Sequence, residues 1–103
     1  MKKEFFGLEK SDIINFMRRA GYLCLGRGSD EAEFSFVRSF GRSGYPRFHL
    51  FIRFDKGKDA IFNLHIDQKK PVYAGSRAHA AEYEGPLIEE EMRRIESLYD
   101  KKS

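Results

Sequence analysis

One cysteine, Cys24, is all the chain has, so no intrachain disulfide can form. A reducing compartment suits that composition. No tryptophan is present, prolines number three, and neither an internal repeat nor a low-complexity block interrupts the chain. No apolar run approaches the roughly 20 residues of a membrane span. The opening "MKKEFFGLEKSD" has two lysines but no apolar stretch of the kind a signal peptide needs. These absences point to a soluble, cytoplasmic protein with no membrane partner. Motifs with strong metal or catalytic spacing are lacking too. There is no His-Glu-x-x-His helix and no Cys-x-x-Cys pair, and Cys24 reads as a small buried hydrophobe.

What is present is one domain's worth of core. The 103 residues include ten Phe and five Tyr, and 41% are hydrophobic. Charged residues make up 34%, but mixed signs leave a net charge of only +3. That balance permits attraction to nucleic acid or another anionic partner without demanding it.

"SDIINFMRRAG" reads as a helix. Ser11 or Asp12 can cap it, Ile13, Phe16, Met17 and Ala20 recur at helical spacing, and Gly21 can end it. "EAEFSFVRSF" alternates as a strand and "GRSGYP" turns the chain. Tyr45 to Phe54 and Asp59 to Asp67 alternate as two more strands. "GPLIEEEMRRIESLYDKK" is a closing helix that buries Ile88, Met92, Ile95 and Tyr99. Glu89 with Arg93 and Glu90 with Arg94 are spaced for i,i+4 pairing. The order α-β-β-β-α predicts an α+β fold: a three-stranded antiparallel meander with both helices on one face. The opposite face is then open to solvent or a partner.

Register decides what that face carries. A two-residue Lys-Gly turn would send one of the two apolar sets to water. Keeping Phe48, Leu50, Ile52 and Phe54 on the side of Ala60, Phe62, Leu64 and Ile66 requires Phe54 opposite Ala60. His49 then faces His65, and Arg47 faces Asp67, with Cβ atoms roughly 4.5–5.5 Å apart. Two imidazoles at that separation can share a metal ion. The 17 residues from Gln68 to Glu84 have little regular pattern and carry His79 and Glu82. Folded over the open face, they would bring His79 or Glu82 to complete a zinc-type site with His49, His65 and Asp67, and Glu82 is the candidate general base. The plain alternative is that the histidines are polar residues on a polar face and no cofactor binds.

The same face offers Arg47, Phe51 and Arg53, which Lys69, Lys70 and Arg77 would extend. Basic residues interleaved with aromatics suit phosphate contact and base stacking. The leading expectation is thus a small binding domain for nucleic acid or another anionic partner. A metal-dependent hydrolase or nuclease and a protein-interaction adaptor stand as alternatives.

Two resemblances follow from particular stretches. The element order, with "IINFMRRAGYLCLGRGSDEAEFSF", resembles the double-stranded RNA-binding domain and the HicA toxins of the same topology. The resemblance implies that topology and an RNA partner. Asp30 occupies the position of the toxin's catalytic histidine, so ribonuclease activity is not carried over. "GPLIEEE" also replaces the lysine cluster with which the RNA-binding domain opens its last helix. Second, "NLHIDQKKPVY" with "AHAAEYEGPLIEEEMRRI" is similar to a pattern in small uncharacterised bacterial proteins, which includes His65, Asp67, His79, Glu82 and Tyr83. That similarity implies a bacterial-type small domain and no particular activity.

Overall fold

The structure is a computed structural model and describes residues 1–27, 33–55, 59–68 and 81–102. The chain forms β1 (Lys2–Phe6), a tight turn over Lys10–Asp12, α1 (Ile13–Arg19), β2 (Leu23–Arg27), β3 (Glu33–Ser39), β4 (Arg47–Asp55), β5 (Asp59–Asp67), β6 (Ala81–Glu82) and α2 (Pro86–Lys102). The strands make one sheet in the order β1-β5-β4-β3-β2. The two-residue β6 continues the β1 edge, pairing with the far end of β5. Every pairing is antiparallel.

The expected three-stranded meander is therefore corrected. It exists as β3-β4-β5, but a strand flanks it on each side, giving five strands along the main path. Neither flank has the pattern of an independent strand. β1 is "KKEFF" and buries only Phe5. β2 is broken by a bulge between Cys24 and Gly26, which puts Leu25 out of alternation. Gly26 takes φ 112°, a conformation side chains disfavour. Both strands are held by their neighbours' open edges rather than by their own periodicity.

The even-numbered residues of β3, β4 and β5 build the core. Phe34, Phe36, Phe48, Leu50, Ile52, Phe54, Ala60, Phe62, Leu64 and Ile66 join Ile13, Phe16 and Met17 of α1 and Ile88, Met92 and Ile95 of α2 in one cluster. Tyr99 is only partly buried and packs at the rim of this cluster, its ring 5.2 Å from Phe5. α1 ends as expected at Gly21, with φ 92° and its N–H donated to the Arg18 carbonyl at 3.0 Å. Its start differs: Ser11 lies within the preceding turn and the Asp12 side chain makes no cap bond. The i,i+4 pairs expected on α2 give way to a different partner. Arg94 turns instead to Glu91, three residues back and buried. Among the described residues no helix is long and apolar enough to cross a membrane.

Candidate metal centre

The β4–β5 register is the one that keeps the apolar sets together. Phe54 faces Ala60, Leu50 faces Leu64, His49 faces His65 and Arg47 faces Asp67. The odd-numbered side chains consequently share the face away from the helices. The imidazole rings of His49 and His65 lie 4.8 Å apart, centroid to centroid.

Asp67 joins them. One carboxylate oxygen is 3.0 Å from His49 Nδ1 and accepts from Arg47 Nε at 3.1 Å, and the other is 3.0 Å from His65 Nε2. An ionised carboxylate only accepts, so both of those imidazole nitrogens carry the proton. His49 Nε2 is then a lone pair, and it takes the Ser35 hydroxyl at 2.8 Å. Ser35 pairs with Phe51 on one side and Gly26 on the other, so the backbone around it is committed to the sheet. The Ser35 hydroxyl, His49 and Asp67 thus stand in hydroxyl–imidazole–carboxylate order, with the backbone of Ser35 paired on both sides.

Burial sets the protonation states. His65 is only 8% exposed although it sits on the helix-free face. Desolvation holds both imidazoles below their ordinary pKa, against the raising influence of Asp67. For Asp67, burial acts to raise the carboxyl, but the Arg47 hydrogen bond and the two imidazoles outweigh it and hold the group below the usual range. Around neutral pH the cluster is two neutral imidazoles and one carboxylate.

Aromatic rings wall this cluster. Phe51 lies 4.4 Å from the His49 ring and 5.7 Å from the His65 ring, nearly parallel to the latter at 18°. Tyr83 stacks on the other side of His65 at 5.2 Å. The Tyr83 carbonyl accepts from the Met1 ammonium at 2.9 Å, which ties the segment after β6 to the start of β1.

The expected site residues divide clearly. His49, His65 and Asp67 come together, and their ligand atoms lie within 4.8 Å of one another. Glu82 does not join them. It faces Ile66 in the β5–β6 register, so its side chain is on the helix side of the sheet, where Gln68 donates to it. That placement removes Glu82 as a ligand or general base. His79, Lys69, Lys70 and Arg77 lie outside the described residues. Arg47 is engaged by Asp67 and packs over the Tyr45 ring at 4.7 Å. Phe51 is half-buried against the histidines, and Arg53 is exposed opposite Glu33 and Ile61. Among the described residues, the odd-numbered face has three cationic side chains (Lys2, Arg47, Arg53) against five carboxylates (Glu4, Glu33, Asp55, Asp59, Asp67). Carboxylates therefore outnumber cations among the described residues of this face.

Ser35 was not among the expected site residues, although the β3–β4 register puts it beside Phe51 and one step from His49. Tyr83 entered only through the bacterial pattern and with no role, because a two-residue strand leaves no periodicity to place it. No protein-family model, curated protein or solved structure matches the chain.

Proposed function

We propose that this domain binds one divalent transition-metal ion, zinc by its donor set, through His49, His65 and Asp67. The observation that carries the reading is the convergence of two histidines and an aspartate, with the net charges ligation uses, neutral imidazole and ionised carboxylate. With metal–ligand bonds of about 2.0–2.1 Å, tetrahedral geometry separates ligand atoms by roughly 3.3 Å. The two nitrogen–oxygen distances of 3.0 Å, one to each carboxylate oxygen, would open by a few tenths of an ångström, and wider separations within the 4.8 Å cluster would close.

Ligation asks each imidazole to give up the proton now shared with Asp67 and to carry it on its other nitrogen. For His49 that nitrogen faces Ser35, whose hydroxyl can turn from donor to acceptor. A partner of this kind fixes the ring and its tautomer. Arg47 keeps its bond to Asp67 and orients the carboxylate. Held by His49, His65 and Asp67, such an ion would keep a position open for water and would supply a water of near-neutral pKa. The chemistry the site supports is thus metal-assisted hydrolysis beside an aromatic wall of Phe51 and Tyr83. Anion binding on the same face has less support among the described residues, where Arg47 is paired with Asp67 and carboxylates outnumber cations.

The test is calorimetric titration of untagged protein with zinc, cobalt and magnesium. One equivalent of zinc is expected per chain, with cobalt giving a visible four-coordinate spectrum and magnesium no uptake. Asp67→Asn and His65→Gln should abolish binding. Ser35→Ala should weaken it about 10- to 100-fold, the range for losing a ligand's hydrogen-bond partner. Uptake that survives Asp67→Asn, or none at micromolar protein, overturns the reading.

A further inference from the structure

On the opposite side of the sheet, the first half of α2 presents Leu87, Glu90, Glu91 and Arg94 as one stripe, at the i, i+3, i+4 and i+7 spacing of a helix face. Across from it stand Arg38, Phe40 and Phe48. With Arg93, these residues enclose a groove of about 510 Å³, within the size range of small-molecule sites. Its floor is the buried Phe48, with the Phe40 ring 4.7 Å away and the Arg38 guanidinium 5.2 Å above it. Phe40 and Leu87 are 43% and 52% exposed, so the apolar walls face water.

The charges are unequal. Arg38 and Arg94 each bond the Glu91 carboxylate twice, so two guanidinium groups share one anion. Arg93 adds a cation and Glu90 removes one, leaving one net positive charge among the residues that line the groove.

We propose that this groove binds a small apolar-bodied monoanion of the medium-chain carboxylate class. The chain lies over Phe40, Phe48 and Leu87, and the carboxylate meets the guanidinium groups of Arg93, Arg94 and Arg38. An apolar body accounts for the exposed Phe40 and Leu87, and a single negative charge completes the balance that Glu91 leaves open. The groove shares no residue with the proposed metal centre and does not rest on it.

The test is titration of ¹⁵N-labelled protein with octanoate below its micellar concentration, beside 1-octanol and octylammonium. Saturable one-to-one shifts are expected, confined to residues 38–48 and 87–94, with both comparison ligands about tenfold weaker or more. Arg93→Glu and Leu87→Asp, both at the rim, should each weaken octanoate by about tenfold and leave the thermal transition unchanged. Equal binding of 1-octanol, shifts that do not saturate or lie elsewhere, or association with anionic vesicles in place of free octanoate would each overturn the proposal.

Discussion

Removing the Glu91 carboxylate is the perturbation that most directly tests how the two helices are tied to the sheet. Glu91 is 3% exposed and accepts five hydrogen bonds: from Tyr22 Oη at 2.6 Å, from Arg38 Nε and Nη2 at 3.1 and 3.0 Å, and from Arg94 Nε and Nη2 at 2.8 and 2.9 Å. Arg94 also donates to the Ala20 carbonyl at the end of α1, at 2.6 Å. The cluster thus links α1, β3 and α2. Breaking a buried ion pair by removing one partner costs about 3–5 kcal/mol, because the remaining charge is left unpaired. Arg38 and Arg94 are each about a third exposed and can swing toward water, which relieves part of that cost. Tyr22 is buried and cannot. Glu91→Ala is therefore expected near the lower limit, about 3 kcal/mol. Tyr22→Phe loses one bond to a charged acceptor and should cost about 1.5 kcal/mol.

Urea denaturation followed by far-ultraviolet circular dichroism measures both, and the double variant gives their coupling. Because the phenol's loss matters only while the carboxylate is present, the two should fall short of additivity by about 1 kcal/mol. The acid limb provides a second reading. Burial pushes the Glu91 carboxyl up, but the Arg94, Arg38 and Tyr22 hydrogen bonds outweigh it and hold the pKa below the ordinary value. A carboxyl depressed in the folded state contributes stability that is present above its unfolded pKa of about 4.3 and is lost as pH falls toward the folded value. Wild type should lose stability faster than Glu91→Gln below that point. A Glu91→Ala cost under about 1 kcal/mol, with additive double-variant energies, would refute the reasoning.

Two further outcomes are expected. In metal-free protein, His49 and His65 have folded pKa values below their ordinary 6.5, so the unfolded chain binds protons first and stability should fall as pH drops below about 6.5. Denaturation midpoints for wild type and a His49→Gln/His65→Gln variant check this, since the decline above pH 5 should vanish in the variant. At the β3–β4 turn, a Cβ on Gly41 would lie 1.9 Å from the Tyr45 carbonyl oxygen, so Gly41→Ala should cost about 2–3 kcal/mol, and a thermal midpoint unchanged from wild type would count against that close approach.

The centre of the fold was legible because β4 and β5 are nine residues each and alternate cleanly. Two apolar sets of that length tolerate one register, and the register alone brings His49 to His65 and Arg47 to Asp67. The Asp67 contact to both imidazoles is a longer step. It depends on side-chain rotamers along β5, which a face-and-register argument does not reach. β1 and β2 were not legible for a different reason. Each borrows its strand character from an existing edge, and a bulge or a pair of lysines erases the local pattern. Glu82 was misplaced by the same limit, since only the β5–β6 pairing tells which face its side chain takes.

The Glu91 cluster carried a signal that periodicity contains but a reading of charge runs hides. In "LIEEEM" the three glutamates look like an ordinary acidic helix start. Glu91, however, lies three residues after Ile88, one before Met92 and four before Ile95, so it falls within the buried stripe. On β3, Arg38 occupies the same alternating face as Phe34 and Phe36, again a charge where the pattern calls for an apolar residue. Each residue alone is a defect in its own element. Taken together, opposite charges at two core-facing positions satisfy one another, and burying either without the other would leave an unpaired ion. The same pairing leaves the two arginines half-turned toward solvent beside Phe40 and Leu87. A structural ion pair thereby places positive charge on an apolar groove, and that residual charge is what the octanoate titration reads.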